Sequence, residues 1–242
     1  MPNPTAAILI IGDEILSGRT RDVNMHHLAG ELTRIGIDLR EARFVCDDRV
    51  AIVSAVRALS AAYDHVFTSG GIGPTHDDIT ADCIAEAFGR AIGIRDDARA
   101  LLEAHFQRRG VEANEARMRM ARIPDGAALI DNPISIAPGF SLENVHVMAG
   151  VPAIFEAMVA SLLPTLTGGQ PLLSQSYRID RPESSVATPL KTLAEKYPEL
   201  SMGSYPFQDN GAYGTNVVIR GQDGTQVEAA LIELAGLFPA DV

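Results

Sequence analysis

Ala6 to Ile11 read AAILII, an unbroken apolar run that stops at Gly12. A run of strand length with no polar alternate fits a strand covered on both faces, which confines the chain to a layered α/β architecture. The next segments keep that rhythm. Leu28, Leu32 and Ile35 recur at helical spacing until Gly36, IDLREARFV returns as a strand, Ile52, Val56, Leu59 and Tyr63 mark a second helix, and HVFTS is a third strand. This alternation predicts a mostly parallel sheet with helices packed on it. A helix around Ile84, Ala87 and Phe88 and two amphipathic stretches, 101–106 and 113–121, come next. Short strands ALI, GFSL and VHVM then fill 127–149, connected by NPISIAP and by Glu143-Asn144 as a hairpin, and Ile154, Phe155, Met158 and Leu162 form a closing helix.

TGGQP, residues 167–171, is the expected linker, because its glycines and proline separate that helix from a shorter pattern. The expected domains are 1–168 and 172–242. In the second, SYRID, a helix over 184–197, LSMGSYPF, YGTNVVIRG and a helix over 227–238 read as a small βαββα unit of ferredoxin-like or KH-like α+β shape. With 242 residues and 46% hydrophobic content, the chain has enough apolar surface for real cores, which argues against disorder. No apolar run approaches the roughly 18 residues of a membrane span, and MPNPTAAILIIGDE has neither a basic lead-in nor a signal-like cleavage site. A soluble cytoplasmic protein with no membrane partner is expected. The net charge is −11, and acidic residues outnumber basic ones on both sides of Gly168, which argues against a nucleic-acid partner. Cys46 and Cys83 lack metal-type spacing and read as buried free thiols.

Residues 68–80, TSGGIGPTHDDIT, carry the strongest chemical signal. Gly70, Gly71 and Gly73 let backbone N–H groups approach an anion, Ser69 and Thr75 add hydroxyls, and Asp77 and Asp78 are oxygen ligands of the kind a hard divalent cation prefers. Lys191 and Lys196 are the only lysines and lie far along the chain, so phosphate must be met by backbone N–H, arginine or metal. In an open parallel sheet, ligands bind beyond the carboxyl ends of the strands. There the first strand delivers Gly12, Asp13 and Glu14, the second Asp47 and Asp48, and the third the glycine-rich turn. Six carboxylates at one edge repel one another unless a cation or a donor-rich ligand compensates.

Simpler roles compete for several of these residues. Asp48 reads first as a helix cap, whereas adjacent Asp13 and Glu14 at the end of a buried strand are hard to explain structurally. His76 reads first as a solvated loop side chain. Asn24 divides evenly between capping and ligand binding, as Arg19 and Arg21 do between phosphate clamping and a solvated helix entrance. NPISIAPGF, 132–140, is a scaffold turn or a wall for a planar ring, with Asn132, Pro138 and Gly139 as its candidate contacts. Gly150, Val151 and Pro152 are explained by helix initiation. Gly221 and Gly224 have the spacing of an RNA-clamping loop but read as an ordinary turn.

GDEILSG, Asp47, SGGIGPTHDDIT, NPxxxAPG and GVP, in this order, resemble the N-terminal region of competence/damage-inducible protein A (CinA), within the MoaB/Mog molybdopterin-binding superfamily. The trailing βαββα unit is similar to the small KH-like domain that follows in CinA proteins, so the resemblance covers nearly the whole chain. It implies a three-layer α/β/α molybdopterin-binding fold whose glycine-rich loop and carboxylates at Asp13, Asp47 and Asp77 line a pterin or nucleotide pocket. It also implies metal-dependent cleavage of a pyrophosphate such as that of ADP-ribose or FAD. Asp13, Glu14, Asp77 and Asp78 would then be the catalytic residues and the ligands of Mg, Mn or Co. The alternative is non-hydrolytic molybdopterin binding. Symmetric homo-oligomers are common in this superfamily. The deamidase activity of long CinA proteins is not carried over. CinA proteins usually read NPxGTAPG and PGVPxEM, where this chain has Ser135, Ile136, Ala149 and Ile154, and it looks more like the short branch related to FAD synthase N-terminal domains.

Overall fold

The computed structural model describes residues 2–209 and 211–239. It divides into two compact units, Met1–Gly169 and Gln170–Val242, a boundary inside the expected TGGQP linker. The linker's glycines belong to the first unit: Gly169 donates its N–H to the Ile35 and Gly36 carbonyls, both at 3.1 Å.

In the first unit β1 (Thr5–Ile11), a single turn α1 (Asp13–Leu16), α2 (Asn24–Arg34), β2 (Asp38–Val45), α3 (Arg49–Ala62), β3 (His65–Ser69) and α4 (Thr80–Ala87) follow in order. β4 (Ile92–Ile94), α5 (Asp96–Arg109), a second single turn α6 (Glu115–Met118), β5 (Arg122–Pro124), β6 (Ala128–Ile130), β7 (Gly139–Leu142), β8 (Val145–Met148) and α7 (Pro152–Leu162) complete it. The main sheet has the order β2-β1-β3-β8-β7-β6. β2, β1, β3 and β8 are parallel, and β7 opposes both its neighbours.

β1 is buried on both faces. Ala7, Leu9 and Ile11 join one core with α3, α4 and α5, while Ala6, Ile8 and Ile10 join the other with α2 and α7. These are the three α/β/α layers, and burying each large aliphatic side chain contributes about 1.5–3 kcal/mol. The hairpin falls at Glu143-Asn144, with Glu143 at φ 51°. One element has no counterpart in the sequence expectations, and one expectation needs correction. Residues 92–94 and 122–124 pair as a small antiparallel ribbon, too short to show a two-residue period. The stretch 113–121 is α6 followed by a 3-10 turn rather than one amphipathic helix.

At the opposite end of β3 from the glycine-rich turn, His65 Nδ1 lies 3.2 Å from His146 Nε2, and His146 Nδ1 lies 2.8 Å from Ser141 Oγ. His146 is 6% exposed and packs on Phe67. Burial, with the neighbouring His65 second, pushes its pKa down to about 4. Cys83 is a buried free thiol whose pKa burial raises to about 11, whereas Cys46 is only half-buried.

The second unit is β9 (Leu173–Ile179), α8 (Glu183–Lys196), β10 (Ser201–Asp209), β11 (Ala212–Gly221) and α9 (Gly224–Leu237), with the antiparallel order β10-β11-β9. Val186, Leu190, Val217, Ile219 and Leu234 lie in its core. The Gly221–Gly224 turn leads into a capped helix: the Asp223 carboxylate accepts from Thr225 and Gln226 N–H at 2.9 and 3.3 Å. The last residues of the expected second domain, 240–242, lie outside the described residues.

Candidate functional site

A cavity of about 520 Å³ opens beyond the carboxyl ends of β1, β2 and β3, where the parallel topology collects its loops. Gly12 and Glu14, Asp47, the turn residues Gly70 to Pro74 with Asp77 and Asp78, Asn132 and Gly150 to Pro152 line it. Its size suits a nucleotide-sized ligand.

The glycine-rich turn owes its composition to the backbone as much as to a ligand. Gly70, at φ 110°, abuts the Ile11 carbonyl, where a Cβ has no room, and its N–H extends the sheet to the Met148 carbonyl at 3.1 Å. Gly71, at φ 69°, sits against the Thr80 hydroxyl, and buried Thr80 ties the turn by donating Oγ1 to the Gly70 carbonyl at 3.0 Å and N to the Gly71 carbonyl at 2.9 Å. The reading of three bare glycine N–H groups is therefore corrected at Gly70. Among the described residues no hydrogen bond uses the N–H groups of Gly71, Ile72 or Gly73.

The carboxylates separate into distinct roles. Asp47 Oδ2 accepts the Asp13 N–H at 3.0 Å. Its pKa is raised first by burial, against that hydrogen bond, and then by the charges of Asp13, Glu14 and Asp77. Glu14 folds back over Gly12, where a Cβ would lie 2.7 Å from both carboxylate oxygens. Asp78 closes the turn, Oδ2 accepting from Thr75 N at 2.8 Å and from Thr75 Oγ1 at 2.5 Å. Asp48 is a cap, accepting from Ala51 N at 2.9 Å.

Several expected contacts lie elsewhere. Asp13 is exposed and absent from the cavity lining, and Thr75 is turned to Asp78. Asn24 is the first residue of α2 rather than its cap, and it faces a side chamber together with Ser69. Gly139 is buried in β7 against the Val147 carbonyl, and Pro138 borders a separate crevice under the glycine-rich turn. Asn132, 1% exposed, does line the cavity but also holds its own loop: Nδ2 donates to Ser135 Oγ at 2.6 Å and to the Ala137 carbonyl at 2.8 Å. His76 is 99% exposed. Among the described residues no three His, Cys, Asp or Glu side chains gather as a metal cluster, so Asp13, Glu14, Asp77 and Asp78 do not form a cage.

Gly150–Pro152 do more than initiate a helix, since they line the cavity where α7 begins. A helix start favours anions through its dipole and free N–H groups. Ser135, Ala149 and Ile154, three of the departures from the usual CinA motifs, also face the cavity, as do Thr20 and Met120. Thr20 and Met120 had no sequence signal, because only the folded loops bring them there.

Residues 7–168 match the family model of a probable molybdopterin binding domain, and the chain belongs to that family. Residues 171–242 match the FAD synthase middle domain. The chain is 32% identical over 263 residues to a probable FAD synthase of Caenorhabditis elegans, covering 98% of this chain and 50% of that protein. It is 40% identical over 167 residues to a CinA-like protein of Citrifermentans bemidjiense, covering 67% of this chain and 40% of that protein. It thus spans about half or less of these curated relatives. The crystal structure of CinA from Thermoplasma acidophilum matches with a TM-score of 0.62 at 32% identity, covering 67% of this chain and 97% of that one. No described helix is long and apolar enough to cross a membrane.

Proposed function

We propose that the cavity binds a dinucleotide and that the chain hydrolyses its pyrophosphate with a divalent cation, acting on a substrate such as ADP-ribose or FAD. The carrying observation is the make-up of the cavity wall: the Glu14, Asp47 and Asp77 carboxylates line the same space as the glycine-rich turn with its unclaimed N–H groups and the start of α7. A phosphate suits the free N–H groups and the helix start, and only a compensating positive charge lets it lie beside the carboxylates.

The donor set suits a cation shared with the ligand. Magnesium is commonly held by one or two carboxylates plus substrate phosphates, and Glu14 and Asp77 supply such carboxylates without forming a closed cage. When bound, the cation supplies charge neutralisation and polarisation of the phosphoanhydride. Gly71 to Gly73 orient the non-bridging oxygens, and the first turn of α7 favours their negative charge. Asp47, raised by burial, is the carboxylate suited to accept a proton from an attacking water. Incubation with ADP-ribose or FAD plus magnesium, manganese or cobalt should yield AMP. The absence of any metal-dependent product across a dinucleotide panel sinks the reading.

Non-hydrolytic molybdopterin binding is the second reading. It is favoured by Ser135, Ala149 and Ile154 on the cavity wall in place of the usual motif residues. Co-purification of a fluorescent pterin from a host that makes molybdopterin supports it, and lack of binding in titration removes it.

A further inference from the structure

A chamber of about 60 Å³ opens beside the main cavity at the start of α2. It shares Ile11, Glu14, Thr20, Gly150 and Pro152 with that cavity and adds Asn24 to its wall. Asn24 is 4% exposed. Its Nδ2 donates to Ser69 Oγ and to the Gly150 carbonyl, both at 2.8 Å. A carbonyl can only accept, so Gly150 fixes which way the amide points. Oδ1 is then a buried acceptor that no protein donor satisfies. Such an atom is costly to leave unpaired.

Two further features define what belongs there. The anion favoured by the start of α2 is already supplied within the chain, since the Asp22 carboxylate accepts the Met25 N–H at 3.2 Å. The Glu14 carboxylate, half-buried, lines both spaces, and among the described residues its oxygens accept no hydrogen bond and form no ion pair. The chamber therefore presents Asn24 Oδ1 and the Glu14 carboxylate as acceptors, with the Asp22 carboxylate committed to Met25 and the exposed Arg21 and Thr20 also on its wall, and it has space for a few water-sized groups. A hydroxyl or a lone ring N–H has one hydrogen and satisfies one acceptor. An amino group satisfies both.

We propose that this chamber is a subsite for the amino group of an amino-substituted nitrogen heterocycle, shared between Asn24 Oδ1 and the Glu14 carboxylate while the rest of the ligand fills the main cavity. This rests on the nucleotide-or-pterin reading for the ligand itself. A carbonyl in the same place has no hydrogen to give and would leave Asn24 Oδ1 unpaired.

Calorimetric titration of the full chain tests it with matched ligands. AMP is compared with purine riboside 5′-monophosphate and IMP, which lack the amino group, and 6-hydroxymethylpterin with the corresponding lumazine. The amino member should bind about 10- to 100-fold more tightly, as expected for a hydrogen bond to a buried or charged acceptor. In Asn24→Ser the preference should shrink to within about threefold. The wild-type comparison decides the matter even if that variant fails to fold. Equal affinity within both pairs, as a chamber holding only water would give, overturns the subsite but leaves the phosphate reading intact. Discrimination by the pterin pair alone, without nucleotide binding, keeps the subsite and removes the dinucleotide reading. No binding by any ligand removes both.

Discussion

β3 ends in two unlike ways. At its start, His65 and His146 are packed against Phe67, and the ring nitrogens of His146 both have partners, in His65 and Ser141. At its end, Gly71 to Gly73 and Glu14 hold polar groups that no described residue answers, beside an open cavity. Both ends contain titratable groups with shifted pKa values, so a shift alone does not mark function. The distinguishing property is whether the polar atoms around the group are already satisfied.

Gly70→Ala tests the open end most severely. Its Cβ meets the Ile11 carbonyl, a backbone atom that cannot swing away, and φ 110° is unfavourable for alanine. The expected loss is about 3 kcal/mol or more in denaturant unfolding, together with loss of ligand binding. Full stability with intact binding would show that the turn is not held by the backbone.

The closed end should respond to pH alone. His146 has a folded pKa of about 4, below its unfolded value, so the unfolded chain binds the extra proton as pH falls. Its contribution is intact above the unfolded value near 6.5 and is lost progressively down to the folded one, by about 3 kcal/mol. Urea midpoints measured from pH 7.5 to pH 4 in wild type and His146→Phe should diverge over this interval. Parallel curves would assign the acid sensitivity to other groups.

The adjacent pair Asp47 and Asp48 gives the smallest and most discriminating contrast. Asp48→Ala removes a helix cap and should cost about 1 kcal/mol without changing ligand affinity. Asp47→Asn keeps an acceptor for the Asp13 N–H, relieves repulsion among neighbouring carboxylates, and should leave stability unchanged or raise it by up to about 0.5 kcal/mol, solvent screening included, while abolishing metal-dependent turnover. Loss of turnover in both variants would erase the distinction between them.

The layers were legible because β1 has no polar residue from Ala6 to Ile11, and the loops bearing Glu14, Asp47 and Gly71 necessarily leave the same sheet edge. Finer roles were not. Asp13 and Glu14 are neighbours in sequence, but a single helical turn leaves one exposed outside the lining and folds the other over Gly12. Gly139 looked like a ligand contact because loop-shaping and ligand-binding residues share one composition, whereas Asn132 both lines the cavity and holds its loop by hydrogen bonds. Thr20 and Met120 reach the cavity from segments with no local signature.

Ile136 stands at φ 67°, in the left-handed region that a β-branched side chain strongly disfavours, within the loop anchored by the four hydrogen bonds of the Asn132 amide. The folded chain therefore bears about 1–2 kcal/mol of local strain before any ligand arrives. A wall already fixed in shape loses little conformational freedom when a ligand docks against it. Affinity at this face should then track the fit of the ligand ring rather than the ordering of the loop, and the face should discriminate by shape more sharply than it can adapt.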